Sequence, residues 1–241
     1  MVPADWKILC PKTFPMDGET LERVMRFPEI FTQTHGDLTI GITTSGGDDR
    51  LISTLRSVID AMGPAALAGI AVFVDTDKHD ADARFAWIQG QITATNKAAL
   101  DEGQPGYPIA VPRKAGAMEG SAPPIGVFMF PDNLQRGALE DILLECARIN
   151  HPDIAAAAVA VVRDLDKNRP VDHADLKALR AGMGKGKAMA GIVANLLRPG
   201  VSLASSLAQT KWLAQPAFKH ALVSGVDGFL EALLDIASKR H

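Results

Sequence analysis

The chain has 241 residues, 47% of them hydrophobic and 22% charged, with a formal net charge of −3. That is enough for a large core, and the charge gives no whole-chain signature of a nucleic-acid binder, although a local Lys/Arg cluster would suffice for one. The two cysteines, Cys10 and Cys146, lack disulfide or zinc spacing, no apolar run approaches the roughly 20 residues of a membrane span, and no signal-peptide pattern opens the chain, so the expectation is a cytoplasmic protein without membrane partners.

In chain order, Trp6–Cys10 reads as a strand, followed by a proline-broken loop over 11–18. The spacing of Leu21, Val24, Met25 and Ile30 predicts a helix over Glu19–Ile30. A second strand, Leu38–Ile42, runs into the polar turn Thr43–Asp49, whose Gly46-Gly47 pair precedes a helix. That helix carries the stripe Leu51, Ile52, Leu55, Val58 and Ile59 and stops at Gly63-Pro64. Next comes Ile70–Val74, an apolar run rich in β-branched and aromatic residues, which reads as a strand buried on both faces. The first third therefore predicts β-α-β-α-β, a parallel sheet covered by helices.

Residues 79–101 predict a helix, and 101–124 a long Gly/Pro-rich stretch holding one short strand at Tyr107–Val111. Ile125–Phe130 is a second buried strand, followed by Pro131-Asp132-Asn133 and a helix over 137–150. Beyond Pro152 the pattern is helical, over 153–165, 172–182, 185–197 and 226–238. The organisation expected is an α/β core over 1–150 with a mostly helical portion, 151–241, packed on the same domain.

The chemistry-bearing candidates sit at strand ends. Asp75 and Asp77 follow Ile70–Val74 with one residue between them, so in an extended chain both carboxylates point the same way and repel unless a cation or proton intervenes. Oxygen ligands of this kind suit Mg²⁺ or Mn²⁺. A solvated turn or a helix cap is the plainer reading of the same residues. Asp132, Glu140 and Asp141 repeat the pattern after the second buried strand, and they too read equally well as a turn cap and a solvated helix face. Gly46 and Gly47 precede a helix N-terminus, where an anion can approach, although most such pairs are only turns. Lys185 and Lys187 lie in a glycine-rich run at a helix start, against the helix dipole, which favours a ligand-facing role, although a solvated loop reads about equally well and the run does not match the phosphate-loop pattern. The histidines show no zinc-hydrolase spacing.

Together, the Asp75-Thr-Asp77 strand end, the block Pro131-Asp132-Asn133 with Gly137 and Leu139-Glu140-Asp141, and the late Lys185/Lys187 helix start resemble one family. It is the uncharacterised bacterial Toprim-like group related to the overcoming-lysogenisation-defect (OLD) nucleases. The resemblance spans about residues 6–235 and implies a Toprim-like, parallel-rich sheet flanked by helices. It also implies divalent metal held by Asp75 and Asp77 with a further acid, and phosphodiester chemistry on nucleic acid or a nucleotide. In that scheme Glu140 completes the metal set, and Lys185 or Lys187 offsets transition-state charge. The family's acid after the first strand is missing from Leu9-Cys10-Pro11-Lys12, and Asp17 or Glu19 would have to replace it.

Two other classes fit parts of the pattern. One is a non-catalytic nucleotide- or nucleic-acid-binding or interaction module of the same fold. The other is a nucleotide-sugar glycosyltransferase, whose Asp-x-Asp also follows an apolar strand and holds Mn²⁺. A haloacid-dehalogenase-type phosphatase fits less well, since Lys78 and His79 follow the acidic pair. The sequence leaves open whether a second copy of the chain or a separate protein is a partner.

Overall fold

The computed structural model describes residues 6–10, 13–16, 19–22, 29–33, 38–63, 66–104, 107–120, 123–170 and 172–238, with backbone only for those before 38, for Asp49 and for 236–238. The architecture is α/β and rich in helix. Its central sheet is small and mixed, with strands β6 (Ile70–Asp75), β8 (Ile125–Phe130) and β7 (Met118–Glu119). β8 lies in the middle, parallel to β6 and antiparallel to β7.

Strand alternation gives this sheet two apolar faces. Val72 and Val74 of β6 join Ile125, Val127 and Met129 of β8 on one face, where α1 (Asp48–Met62) and α2 (Ala81–Asp101) cover them with Ile59, Ile88 and Ile92. Phe73 and Phe128 belong to the other face. There Phe229 of α8 (Ala221–Ser238) meets Phe73 edge-on at 5.5 Å between ring centroids. A run hydrophobic in every position is what two-sided burial requires, and Ile70–Val74 and Ile125–Phe130 both show it.

The helical half has a core of its own. α3 (Leu139–Asn150), α4 (Pro152–Asn168), α6 (Gly184–Leu197) and α7 (Leu203–Gln209) pack around the fully buried Trp212, with Leu143, Ala147, Ala158 and Val193. Small Ala side chains in α3, α4 and α6 let these helices approach closely. A single-turn helix, α5 (Lys177–Arg180), precedes α6, where a longer helix over 172–182 is expected. α7 is capped by Ser202, whose hydroxyl accepts the Ser205 N–H at 3.2 Å, a signal the hydrophobic pattern alone does not carry. No helix among the described residues is long and apolar enough to cross a membrane.

The N-terminal expectations are corrected. Instead of a helix over Glu19–Ile30, β2 (Thr13–Met16) and β3 (Glu19–Glu22) pair antiparallel, and β4 begins at Glu29 (Glu29–Gln33). The register Met16↔Glu19 leaves two residues between the strands, and Asp17-Gly18 is the sequence signal for such a hairpin. β1 (Trp6–Cys10), β4 and β5 (Thr39–Ile42) form a separate antiparallel sheet in the order β1-β4-β5, so β1 and β5 do not extend the parallel pair β6/β8. The connection from β4 to β5 is too short for the crossover that parallel pairing demands.

The segment Tyr107–Val111 is also not a strand. The Asn96 side chain of α2 accepts the Ile109 N–H at 2.9 Å and donates to the Ile109 carbonyl at 2.8 Å, replacing a neighbouring strand.

Since Ile125 is fully buried at the centre of the sheet, Ile125→Ala is expected to cost about 2–5 kcal/mol. Leu196→Ala, at a side chain 55% exposed, should stay within about 0.5 kcal/mol. Denaturant unfolding of the two variants checks the difference.

Candidate functional site

The site lies where β6 and β8 end side by side, Asp75 opposite Phe130. Thr76, fully buried, ties the two loops that leave these strands. Its N–H donates to the Phe130 carbonyl at 3.3 Å, and its hydroxyl accepts the Gly137 N–H at 2.8 Å. The same hydroxyl lies 2.9 Å from the carbonyls of Phe130 and Gln135 and 3.0 Å from that of Gly137, so its one proton has three acceptors. Asp77 adds a further tie, its N–H donating to the Gly137 carbonyl at 2.8 Å.

The 131–137 loop is organised internally as well. Asp132 accepts the N–H groups of Leu134 and Gln135 at 3.0 and 2.7 Å, while Asn133, at φ +69°, caps the end of β8 through the Met129 N–H. Gly137, at φ +154°, sits where glycine is favoured: a Cβ there would lie 2.5 Å from the Asp141 carboxylate, which itself accepts the Ala138 N–H, and 3.0 Å from the Pro131 ring.

Asp75 sits in front of the N-terminus of α3, and its Oδ1 accepts the Leu139 N–H at 3.0 Å. Burial nonetheless dominates and pushes its carboxyl above the usual range. The Leu139 N–H opposes this, the negative charges of Glu140 and Asp77 add to it, and Lys187 offsets a little. Glu140 presents a buried Oε2 with no hydrogen-bond partner. Its Cβ faces Gly186 of α6, where an added methyl would touch it at 3.7 Å. The end of α6 that carries Lys187 is thereby brought against the start of α3.

Behind the acids, Arg84 of α2, only 6% exposed, donates to the main-chain oxygen of Asp75 at 3.0 Å and to the Asp48 carboxylate at 2.6 Å. It joins β6, α1 and α2 while leaving the Asp75 carboxylate itself alone. Arg84 and Thr76 are the two residues the sequence reading missed. Arg84 had a signal, since it falls on the buried face of α2 with Ala81, Ile88 and Ile92. Thr76 had none, because its role exists only once the two loops meet.

Several expectations change. Asp77 is not an extension of the strand: at φ +52° it turns the chain, so strand alternation does not aim its side chain with that of Asp75. What relates the two is electrostatic proximity at a turn. Lys185 does not face the acids, because its Nζ lies 2.5 Å from Asp166, which Arg180 also holds at 2.7 Å. Together Arg180 and Lys185 keep the Asp166 carboxyl below its ordinary range. Asp132 and Asp141 act as a turn cap and a helix cap. Gly46 and Gly47 lead into α1, whose first residue, Asp48, is engaged by Arg84. Glu19 lies in β3 with its side chain outside the described residues, as does Asp17 altogether. Among the described residues, no three His, Cys, Asp or Glu side chains are gathered as a metal cluster.

Residues 17–187, well over half of the chain, match a family of proteins of unknown function (DUF3226). The chain belongs to this family. No curated protein and no solved structure matches it. The matched segment of this DUF3226 member contains Asp75, Thr76, Asp77, Arg84 and Glu140 and ends at Lys187.

Two measurements check the geometry. Thr76→Val leaves the buried Gly137 N–H without its acceptor and is expected to cost about 1–3 kcal/mol, most of it recovered in Thr76→Ser, as read by thermal unfolding. For Asp75 the folded-state pKa lies above the unfolded value, so its ionised form costs stability at neutral pH. That cost disappears as pH falls below the unfolded value of about 3.9. Without divalent cations, Asp75→Asn should therefore melt above the wild type at neutral pH, the gap closing on acidification.

Proposed function

We propose that the protein is a Toprim-like, divalent-metal-dependent protein acting on phosphodiesters, with the end of β6 as its centre. One observation carries the reading. A buried Glu140 oxygen has no donor, beside an Asp75 carboxyl whose ionisation burial already disfavours. In a protein interior such oxygens are ordinarily hydrogen-bonded, protonated or bound to a cation. The parallel pairing of β6 and β8, with helices on both faces, supports the Toprim-like architecture.

The residues that would hold Mg²⁺ or Mn²⁺ are Asp75, Asp77 and Glu140. When bound, the cation supplies Lewis-acid polarisation of a phosphoryl oxygen and activation of water. The chain's own contributions are positional and electrostatic. The Leu139 N–H holds Asp75 Oδ1 in place, leaving its second oxygen without a hydrogen bond among the described residues. Lys187, exposed at the start of α6, supplies positive charge toward a phosphate. Thr76 keeps both loops in register, which fixes where the acids stand relative to one another.

A second reading is a non-catalytic nucleotide- or nucleic-acid-binding module of the same fold. It is favoured by the lack of a gathered third acid among the described residues and by the engagement of Lys185 with Asp166. Nothing in the site favours the glycosyltransferase alternative.

Incubation of labelled DNA and RNA with the protein in Mn²⁺ separates the readings. Wild type is expected to cleave, and Asp75→Ala to be slower by roughly 100-fold or more. Identical behaviour of the two proteins contradicts the nuclease reading.

A further inference from the structure

α4 carries more apolar surface than the fold covers. From Ile154 to Val162 every residue is apolar, so the run presents apolar side chains on all sides. A helical run of that kind belongs inside a core or a membrane, and no described helix is able to cross a membrane. Yet only Ala155, Ala158 and Val162 are buried, while Ala156, Ala157, Ala160 and Val161 are exposed, as is Leu165 one turn on. Helix propensity accounts for the alanines. It does not account for Val159 and Val161, whose branched side chains are poorer helix formers. The surface is also shaped: Ala155, Ala156, Val159 and Ala160 line an open groove that Arg148 of α3 and Arg163 share.

Two unpaired charges of opposite sign frame this face. Asp153 and Arg163 are both exposed, and neither has a hydrogen bond or ion pair to a described residue. Arg148, by contrast, is already paired with Glu145. Asp153 stands five residues before Ala158 and Arg163 five residues after it, about 7.5 Å along the axis in either direction.

That spacing is self-complementary. A twofold axis beside Ala158, perpendicular to α4, lays a second α4 antiparallel alongside the first. It sets Arg163 of each copy opposite Asp153 of the other, and Ala156 of each opposite Ala160 of the other. Alanines at these facing positions let two helices approach closely. We infer that the occupant of the α4 groove is α4 of a second copy of this chain, with a twofold pair of Arg163–Asp153 contacts at the rim of an apolar interface. This interface is independent of the function proposed above, since none of Asp75, Asp77 and Glu140 lies in it.

The test is sedimentation equilibrium of the purified chain over a range of concentrations. Wild type is expected to be a reversible dimer. Ala160→Glu, at a position open to solvent in a single copy, should weaken dimerisation by roughly 100-fold, because it forces an acid into the apolar groove. Arg163→Glu and Asp153→Lys should each set like charges opposite one another and weaken it about tenfold or more. The double variant should recover most of the wild-type affinity, which a misfolded protein cannot do. The circular-dichroism spectrum of every variant should match the wild type. Three results overturn the inference. One is a wild type still monomeric at about 100 µM, which is also what a different protein covering α4 would give. The others are a dimer that Ala160→Glu leaves intact and two charge reversals that fail to rescue each other.

Discussion

The buried hydroxyl of Thr76 holds the ends of β6 and β8 together, and the approach of Glu140 and the start of α3 to Asp75 follows from that contact. Strand pairing alone brings Asp75 opposite Phe130 and then stops. Beyond that point the two loops would be free to diverge. The Thr76 hydroxyl and the Asp77 N–H, both working on Gly137, keep the 131–137 loop against the end of β6. The N-terminus of α3 then meets Asp75, and Glu140, in the first turn of α3, comes within electrostatic range of it. Arg84 closes the back of the arrangement by fixing the main chain of Asp75 and the first residue of α1.

What results is a set of carboxylates in tension with their surroundings. A helix N-terminus welcomes a negative charge, and the Leu139 N–H favours ionised Asp75. Burial and two neighbouring acids work against it and prevail. Fold stability does not call for this. An asparagine at 75 would keep the Leu139 hydrogen bond without the charge, and a residue at 140 with no buried oxygen would avoid an orphaned acceptor. Stored electrostatic cost of this kind gathers at sites that bind something.

The parts legible in the sequence are those where one local pattern decides the outcome. The wholly apolar runs Ile70–Val74 and Ile125–Phe130 are strands, paired with each other, and the helices starting near Ala81 and Leu139 follow them. The N-terminal sheet is hidden in the sequence because Leu21, Val24 and Met25 mimic helical spacing, while Asp17-Gly18, the stronger hairpin signal, lies just ahead of them. Extended geometry does not reach Asp77, whose φ of +52° turns the chain where its N–H meets the Gly137 carbonyl. Lys185 and Lys187 look alike in sequence, and only the approach of Asp166 and Arg180 to the first of them tells them apart. The turn at Asp77 and the pairing of Lys185 depend on contacts with other segments, Gly137 and Asp166, which no single-sequence pattern encodes, whereas the hairpin has a local signal that the helical spacing outweighs.

Whether the carboxylates at the rim of β6 share a cation decides what the site is for. An anomalous-difference map from a crystal soaked in Mn²⁺ addresses this without reference to substrate or turnover. A shared cation gives a peak within bonding distance of Asp75 and Asp77, with Glu140 Oε2 turned to it. A map with no such peak, and with Glu140 Oε2 still unpartnered, would contradict it.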